Sequence, residues 1–187
     1  MVPVLSIPHD IRYNGGIVKL ASLEAIIAAF NRNQVRYLIV GGLAVAAHGF
    51  GRVTFDVDLV VQLQPENVHQ AMRALETLGY TPVAPVSARD FSDPNIRAAW
   101  IREKHMVVFG LHSPQHPDTP VDVFVTEPFD FNREYEAALV GEIMPGVQAR
   151  FVRQETLIRM KESTGRDKDR EDVRQLRSLL EHPDEHE

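Results

Sequence analysis

Three aspartates set among apolar residues are the side chains of this sequence best suited to chemistry. Asp56 and Asp58 follow a glycine pair, Gly41-Gly42, within an apolar run, and Asp122 lies in a second apolar run. Buried carboxylates without a partner are costly, and neighbouring like charges raise one another's pKa values. A divalent cation is their natural counterion. Together with a glycine turn that admits phosphate, such a site favours metal-assisted phosphoryl or nucleotidyl transfer.

The spacing of Asp56 and Asp58 predicts that both side chains leave the same face of one strand, because alternate strand residues point to opposite faces. Their positions are about 7 Å apart along the backbone, so their carboxylates can converge on one or two Mg²⁺ ions. If the strand of Asp122 lies alongside, all three carboxylates emerge from one sheet surface. The alternative is an exposed strand face that carries carboxylates for solubility.

Residues close to the acids are candidate ligands for a nucleotide. Gly41 and Gly42 lie between a predicted strand and helix, where backbone amides can approach an anion. Arg52 can contact phosphate oxygens in a bidentate manner, and Thr54 shares the strand parity of Asp56. The alternatives are a tight turn chosen for positive φ at the glycines and an ion pair between Arg52 and a neighbouring carboxylate.

The C-terminal part supplies a second group of candidates. Lys161 shares the apolar face of its predicted helix, so it either extends its ammonium group to solvent or reaches into a site. Arg166 and Asp169 follow on the next predicted helix, and the three residues could close over a nucleotide. The alternative is an ion pair between Lys161 and Asp169 that fastens the two helices.

Length and composition limit the possible classes of protein. A chain of 187 residues with 44% hydrophobic content and no cysteine predicts one domain, with a core over about 18–152 and C-terminal helices over about 153–180. No signal peptide or membrane span is recognisable, so we expect a cytoplasmic location. The net charge of −6 argues against a protein that coats nucleic acid. Residues 150–177, however, contain nine basic and six acidic residues. They form either a local basic surface or helices with exposed ion pairs.

Apolar periodicity and turn residues predict the elements that must position these side chains. A turn is expected at 14–16. Helices are expected over 18–31, 43–48, 65–78, 94–103, 133–139, 154–163 and 167–180. Strands are expected over 37–40, 56–63, 106–111, 121–126, 142–143 and 147–152, with 106–111 and 121–126 forming a hairpin.

These motifs resemble those of the nucleotidyltransferase superfamily whose common core is shared with DNA polymerase beta. The resemblance rests on a hydrophobic strand, Gly-Gly, a helix, the pattern Arg-x-Thr-x-Asp-x-Asp at 52–58, and Val-Asp-Val at 121–123. Lys161 and the segment 165–173 look like the corresponding segments of AbiEii-type nucleotidyltransferase toxins. The resemblance covers about 36–177. Many relatives carry serine as the second residue of the glycine pair, and Gly42 lacks that hydroxyl group.

The resemblance implies an α+β fold, with a mixed sheet flanked by helices and a C-terminal helical segment. It also implies that Asp56, Asp58 and Asp122 hold two Mg²⁺ ions and that Gly41-Gly42 contacts phosphate. The expected reaction transfers a nucleoside monophosphate from a nucleoside triphosphate such as ATP to a hydroxyl group and releases pyrophosphate. Asp122 would help to deprotonate the acceptor, and Lys161 would steady the triphosphate.

The acceptor stays open at this point. Transfer RNA, in a toxin that has a cognate antitoxin, is favoured by the C-terminal segment. An antibiotic or another small molecule is favoured by the acidic composition and the small size. A nucleotide-binding module without catalytic activity and a metal-dependent phosphohydrolase are the remaining alternatives.

Overall fold

The computed structural model describes residues 5–6, for their backbone alone, and residues 18–51 and 54–181. Within these residues, eight strands form one sheet: β1 Leu5–Ser6, β2 Tyr37–Ile39, β3 Val57–Val61, β4 Thr81–Pro82, β5 Val108–His112, β6 Val121–Phe124, β7 Leu139–Met144 and β8 Val147–Phe151. The described ranges also contain seven α-helices: α1 Leu20–Arg32, α2 Gly41–Ala47, α3 Pro65–Thr77, α4 Pro94–Lys104, α5 Phe131–Glu136, α6 Gln154–Thr164 and α7 Asp167–Glu181. A 3₁₀ helix covers Ala88–Ser92.

The sheet is mixed, and its strand order is β1-β7-β8-β2-β3-β6-β5-β4. At its centre β3 pairs antiparallel with β2 and parallel with β6, and β6 pairs antiparallel with β5. The expected hairpin of β5 and β6 is therefore confirmed. The parallel pair of β3 and β6 is the feature that matters for the site, because it places two acid-bearing strands side by side.

Helices cover the two sheet faces unequally. On one face α1 packs against α3 and α3 against β3, and buried rings of the 3₁₀ helix and α4, Phe91 and Trp100, contact Phe109 of β5. On the other face α2 contacts β3 and α6, and α6 packs along α7. We call this second side the carboxylate face, because it carries Asp58 and Asp122. On that face, residues of β5 keep partial exposure: Val108 and Gly110 are half-buried, whereas Phe109 and Leu111 on the helix-covered face are buried.

The predicted fold class is confirmed: the protein has an α+β fold with a mixed sheet flanked by helices. Most predicted elements are present within a few residues of their expected ends. Three details differ. The glycine pair belongs to the first turn of α2, Asp56 lies in a bend just before β3, and α5 begins at Phe131. The earlier start of α5 has a local cause, because the side chain of Asp130 accepts a hydrogen bond from the Arg133 amide at 3.1 Å. The turn expected at 14–16 lies outside the described residues.

Within the described ranges, every helix is too short or too polar to cross a membrane.

Candidate active site

Asp58 and Asp122 are direct neighbours on the carboxylate face. The parallel pairing of β3 with β6 sets Val57 opposite Val121 and Asp58 opposite Asp122. Asp56 joins them from the bend before β3. One carboxylate oxygen from each of the three aspartates lies within 4.8 Å of the other two. The structure therefore brings together the three acids expected from the sequence.

The glycine pair packs directly against the acid-bearing strand. Gly41 has φ of +64°, and a Cβ atom at this position would lie 1.9 Å from Asp58 Oδ2. A Cβ atom at Gly42 would lie 2.5 Å from Thr54 Oγ1 and 2.7 Å from Thr54 Cβ. All three distances are far below van der Waals contact. The two glycines thus make room for side chains of the acid segment, a requirement that exists in addition to any contact with phosphate.

Asp58 and Asp122 lie in an environment that disfavours their ionisation. Burial, followed by the charges of Asp56 and Asp122, raises the pKa of Asp58 to about 7, although the positive charges of Lys161 and Lys168 oppose this. Burial and the charge of Asp56 also raise the pKa of Asp122. Three converging oxygen donors with unbalanced negative charge fit a hard divalent cation.

The neighbouring strand β5 places no side chain directly beside Asp122. Gly110 of β5 lies directly opposite Asp122 in the antiparallel pair, and a Cβ atom there would lie 3.3 Å from Asp122 Oδ1. The amide of Val83 donates to the carbonyl of Gly110 at 2.9 Å, and 69% of Val83 is exposed. We call the surface of Val83, Val108 and Gly110 the open strand face. It reaches the carboxylates without an intervening side chain at position 110.

Lys161 lies in a buried ionic cluster between α6 and α7. Its ammonium group contacts Asp169 Oδ1 at 3.2 Å and Asp172 Oδ2 at 2.7 Å, and all three side chains are at least nine-tenths buried. Thr164 also donates to Asp169. Burial alone would raise the pKa of Asp169, but these hydrogen bonds and the charges of Lys161 and Arg166 lower it. The ion pair between Lys161 and Asp169, which the sequence offered as the alternative to a ligand role, is therefore present, while the positive charge of Lys161 still acts on Asp58.

The remaining candidates occupy different settings. Thr54 is buried, and its hydroxyl group donates to Asp56 Oδ1 at 3.1 Å. Arg166 is exposed in the connection between α6 and α7. Arg52 lies outside the described residues.

A separate cavity of about 360 Å³ lies between α3 and the 3₁₀ helix. Its lining contains none of the three aspartates. The cavity is lined by His69, Met72, Arg73, Glu76, Ala88, Arg89 and Ser92.

Comparison with protein families identifies the chain. The family described as "Nucleotidyltransferase of unknown function (DUF6036)" matches residues 18–181, which include every described residue of the site. The chain belongs to this nucleotidyltransferase family. A comparison with curated proteins gave no significant match.

Solved structures confirm the nucleotidyltransferase fold. A crystal structure of ANT(2″)-Ia in complex with adenylyl-2″-tobramycin is 16% identical, with a TM-score of 0.53 over 86% of this chain and 88% of that chain. The lincomycin-bound lincosamide antibiotic adenylyltransferase LnuA is 14% identical, with a TM-score of 0.55 over 87% and 99%. An antigenic nucleotidyltransferase-like protein from Paracoccidioides brasiliensis is 18% identical, with a TM-score of 0.51 over 86% and 74%.

Two residues near the three aspartates were not among the candidates drawn from the sequence. Lys168 is exposed in the first turn of α7, yet its charge lowers the pKa of Asp58, so it lies near the carboxylates. The only signal for it was its place in the C-terminal motif. Gly110 was missed because its importance depends on pairing with Asp122, and a lone glycine in a strand does not reveal its partner.

Proposed function

We propose that this nucleotidyltransferase catalyses the Mg²⁺-dependent transfer of a nucleoside monophosphate from a nucleoside triphosphate, such as ATP, to a hydroxyl group of a small molecule. The observation that carries the proposal is the convergence of Asp56, Asp58 and Asp122 within 4.8 Å beside the glycine pair. In this reaction the acceptor oxygen bonds to the α-phosphorus, the bond from that phosphorus to pyrophosphate breaks, and the acceptor proton is removed.

The three aspartates are the proposed metal ligands. They offer oxygen donors only, which suits Mg²⁺, and burial together with the neighbouring carboxylates raises the pKa values of Asp58 and Asp122, so that their ionised forms favour a cation. Bound Mg²⁺, as one ion or two, would neutralise this charge, polarise the phosphoryl group and lower the pKa of a bound hydroxyl group.

Asp122 is the proposed acceptor of the proton. It is the acid that borders the open strand face, so an entering hydroxyl group would meet this carboxylate first. An acceptor hydroxyl that enters over Gly110 reaches Asp122 without passing a side chain at that position. Asp58 lies on the opposite side, against Gly41, where the glycine backbone leaves little space.

The triphosphate is proposed to lie between the glycine pair and the start of α7. Gly41 and Gly42 offer backbone amides, and Arg52 and Arg166 are the proposed side-chain contacts from the motifs. Lys168 is exposed and close enough to act on Asp58, so we assign it the direct contact with phosphate. We assign Lys161 a mainly electrostatic role, because Asp169 and Asp172 hold its ammonium group.

A small molecule is favoured as the acceptor for two reasons. The arginines of α7 that could have formed a basic surface are engaged in ion pairs with acidic residues of α6 and α7, so they offer less charge to a nucleic acid backbone. The pairs are Arg170 with Asp167, Arg174 with Glu171, and Arg177 with Glu162. In addition, the fold is shared with an adenylyltransferase of lincosamide antibiotics and with ANT(2″)-Ia bound to adenylyl-2″-tobramycin.

Transfer RNA is the competing acceptor. It follows from the resemblance of Lys161 and residues 165–173 to AbiEii-type toxins, for which a cognate antitoxin is expected. A toxin of this class would modify RNA in the cytoplasm, and its binding to RNA would weaken steeply as salt rises.

The test uses α-phosphate-labelled ATP, GTP, CTP and UTP with Mg²⁺ and two sets of acceptors, hydroxylated antibiotics and total transfer RNA. We expect label to move to a small molecule, with release of pyrophosphate, and we expect Asp58→Asn and Asp122→Asn to abolish the transfer. Label on transfer RNA alone would overturn the small-molecule assignment. Release of label with water as the acceptor would instead identify a phosphohydrolase. Full transfer by Asp58→Asn would overturn the proposed site itself.

A further inference from the structure

The buried hydroxyl group of Thr54 has a specific partner in the site. Thr54 is only 7% exposed, and its Oγ1 atom donates to Asp56, with the carboxylate Oδ1 as the nearer acceptor at 3.1 Å and the carbonyl oxygen at 3.4 Å. The backbone of Thr54 is fixed as well, because its carbonyl accepts a hydrogen bond from the Val18 amide at 3.2 Å. Thr54 therefore connects Asp56 to the segment that precedes α1.

Asp56 needs such a partner more than the other two acids do. Asp58 and Asp122 lie within β3 and β6, where strand pairing determines the direction of each side chain. Asp56 lies in the bend before β3, and the paired register of β3 and β6 begins only at Val57. The sheet therefore does not orient the Asp56 carboxylate, whereas the Thr54 hydroxyl group does.

Gly42 lies against Thr54, and its lack of a side chain leaves space for the Thr54 side chain. A Cβ atom at position 42 would lie 2.5 Å from Thr54 Oγ1 and 2.7 Å from Thr54 Cβ. Gly42 does not have a left-handed backbone conformation, so the space taken by Thr54, rather than φ, excludes a side chain there. A side chain at position 42 would therefore overlap Thr54 in its present rotamer.

We infer that Thr54 is a positioning residue that orients Asp56 for metal binding, and that Gly42 is glycine because Thr54 occupies the space of its side chain. The inference rests on the proposed function, since Asp56 is a metal ligand only under that proposal. The Thr54 hydroxyl group takes one oxygen of Asp56 and limits the rotation of the carboxylate, which leaves the other oxygen for a cation. Removal of a residue that orients a metal ligand in this way usually weakens metal binding by about 10- to 100-fold.

The first test measures Mn²⁺ affinity by calorimetry in the purified full chain, with Mn²⁺ as the probe for Mg²⁺. Thr54→Val keeps the shape of the side chain and removes the hydroxyl group, whereas Thr54→Ser keeps the hydroxyl group. We expect Thr54→Val to weaken Mn²⁺ binding by about 10- to 100-fold, and Thr54→Ser to bind within a few-fold of the natural protein. Equal affinity of Thr54→Val and the natural protein, at unchanged melting temperatures, would overturn the inference.

The second test examines the steric relationship without any metal. Gly42→Ala is expected to lower the melting temperature, and Thr54→Gly to lower it separately. The double variant Gly42→Ala/Thr54→Gly is expected to lose less than the two single variants added together, because the new methyl group then has space. Additive losses would show that Thr54 does not exclude a side chain at position 42.

A control separates this inference from the proposed function. Asp58→Asn is expected to abolish Mn²⁺ binding in the otherwise natural chain. If Asp58→Asn binds Mn²⁺ normally, the proposed metal site is wrong and the inference falls with it. If Asp58→Asn loses binding while Thr54→Val retains it, the metal site stands and only the role of Thr54 is wrong.

Discussion

Asp58 and Asp122 face each other across the parallel pair of β3 and β6, in the same register position. Strand pairing normally disfavours like charges at directly neighbouring positions. Here burial, followed by the charges of Asp56 and Asp122, raises the pKa of Asp58 to about 7. The metal-free fold therefore carries an electrostatic cost that a bound cation would remove.

Asp58→Asn should stabilise the metal-free protein at high pH. Asp58 has a folded pKa of about 7 against an ordinary value of 3.8, so the folded state holds a proton that the unfolded state releases between these values. The stability of the natural protein therefore falls as pH rises from about 4 to 7, by an amount on the order of 4 kcal/mol at most. Thermal unfolding in the presence of a chelator should show Asp58→Asn melting several degrees higher at pH 8, with less than half of that difference at pH 5 and little difference below about pH 4.

The matched control for that comparison is Asp118→Asn. Asp118 pairs with Lys19 at the surface, where such a pair contributes little to stability. The Asp118→Asn variant should have the same melting temperature as the natural protein at both pH values. A decrease in the melting temperature of Asp58→Asn at pH 8 would contradict the assigned electrostatic cost.

Gly41→Ala should be far more harmful than Gly165→Ala. Both glycines have left-handed backbones, with φ of +64° and +66°, so both substitutions carry a similar backbone strain of about 1 kcal/mol. Only at position 41 would the new Cβ atom overlap Asp58, since nothing lies within 4 Å of a Cβ atom at Gly165. We expect Gly165→Ala to lose about 1 kcal/mol of unfolding free energy and to keep Mn²⁺ binding. Gly41→Ala should lose more stability and should also lose the metal; equal effects of the two would contradict the packing role of Gly41.

Substitution of Lys161 should mainly reduce stability, whereas substitution of Lys168 should mainly weaken nucleotide binding. Lys161→Ala leaves Asp169 and Asp172 buried without the ammonium group, so we expect a loss of about 3–5 kcal/mol in unfolding free energy. Lys168 is exposed, so Lys168→Ala should unfold like the natural protein but bind the nucleoside triphosphate more weakly. Chemical denaturation and nucleotide titration of the two variants measure this difference. Unchanged nucleotide affinity in Lys168→Ala would show that Lys168 does not contact the phosphate groups.

Glu134 should support the start of α6 in a pH-dependent way. Its carboxylate accepts hydrogen bonds from the Arg153 amide at 2.7 Å, the Arg153 guanidinium at 2.9 Å and the Thr156 hydroxyl at 2.9 Å. Burial alone would raise the pKa of Glu134, but these bonds and the charge of Arg153 outweigh it and lower the pKa. Its contribution is therefore complete above the ordinary pKa of 4.5 and is lost as pH falls through the lower folded value.

The corresponding substitution is Glu134→Gln, with Glu136→Gln on the same helix as its control. Glu134→Gln should lose about 2 kcal/mol or more at pH 7, and the deficit should shrink in acid. The carboxylate of Glu136 is exposed and lies 3.6 Å from Arg36, so Glu136→Gln should change stability by less than about 0.5 kcal/mol. A deficit of Glu134→Gln that is constant from pH 7 to pH 3 would contradict the assigned ion pair.

Gly110→Val should weaken binding of the acceptor without changing binding of the nucleoside triphosphate. A Cβ atom at position 110 already lies 3.3 Å from Asp122 Oδ1, so a branched side chain would fill the approach to that carboxylate. Gly110→Ala should have a smaller effect of the same kind. Steady-state kinetics should show a higher KM for the acceptor at an unchanged affinity for the nucleoside triphosphate. An equal loss of affinity for both substrates would contradict the proposed approach over the open strand face.

The sequence was most informative where chemistry and periodicity coincide. Alternation along 56–63 and 121–126 predicted one common face for Asp58 and Asp122 if the two strands lie side by side, and the parallel pairing confirms that placement. The glycine pair was expected to admit phosphate, yet its closest neighbours are Asp58 and Thr54. The contact of the glycine pair with Asp58 and Thr54 depends on how α2 packs against β3, and no local sequence pattern predicts that packing.

Long-range pairing explains the other differences. The short edge strands β1 and β4 were not predicted, because each has two residues and depends on its neighbour in the sheet. The ion pair of Lys161 and Asp169 was foreseen as an alternative, since both residues continue apolar helix faces. The additional partner Asp172 and the proximity of Lys168 to Asp58 follow from the packing of α6 along α7.

The most direct test of the proposed metal site is a crystal structure of the protein grown with Mn²⁺ and a non-hydrolysable nucleoside triphosphate analogue, with anomalous scattering used to locate the metal. We predict an anomalous peak within bonding distance of Asp56, Asp58 and Asp122, with triphosphate oxygens completing the coordination, and no such peak in Asp58→Asn. A nucleotide bound with Mn²⁺ elsewhere on the chain, and no peak among these three carboxylates, would contradict the account.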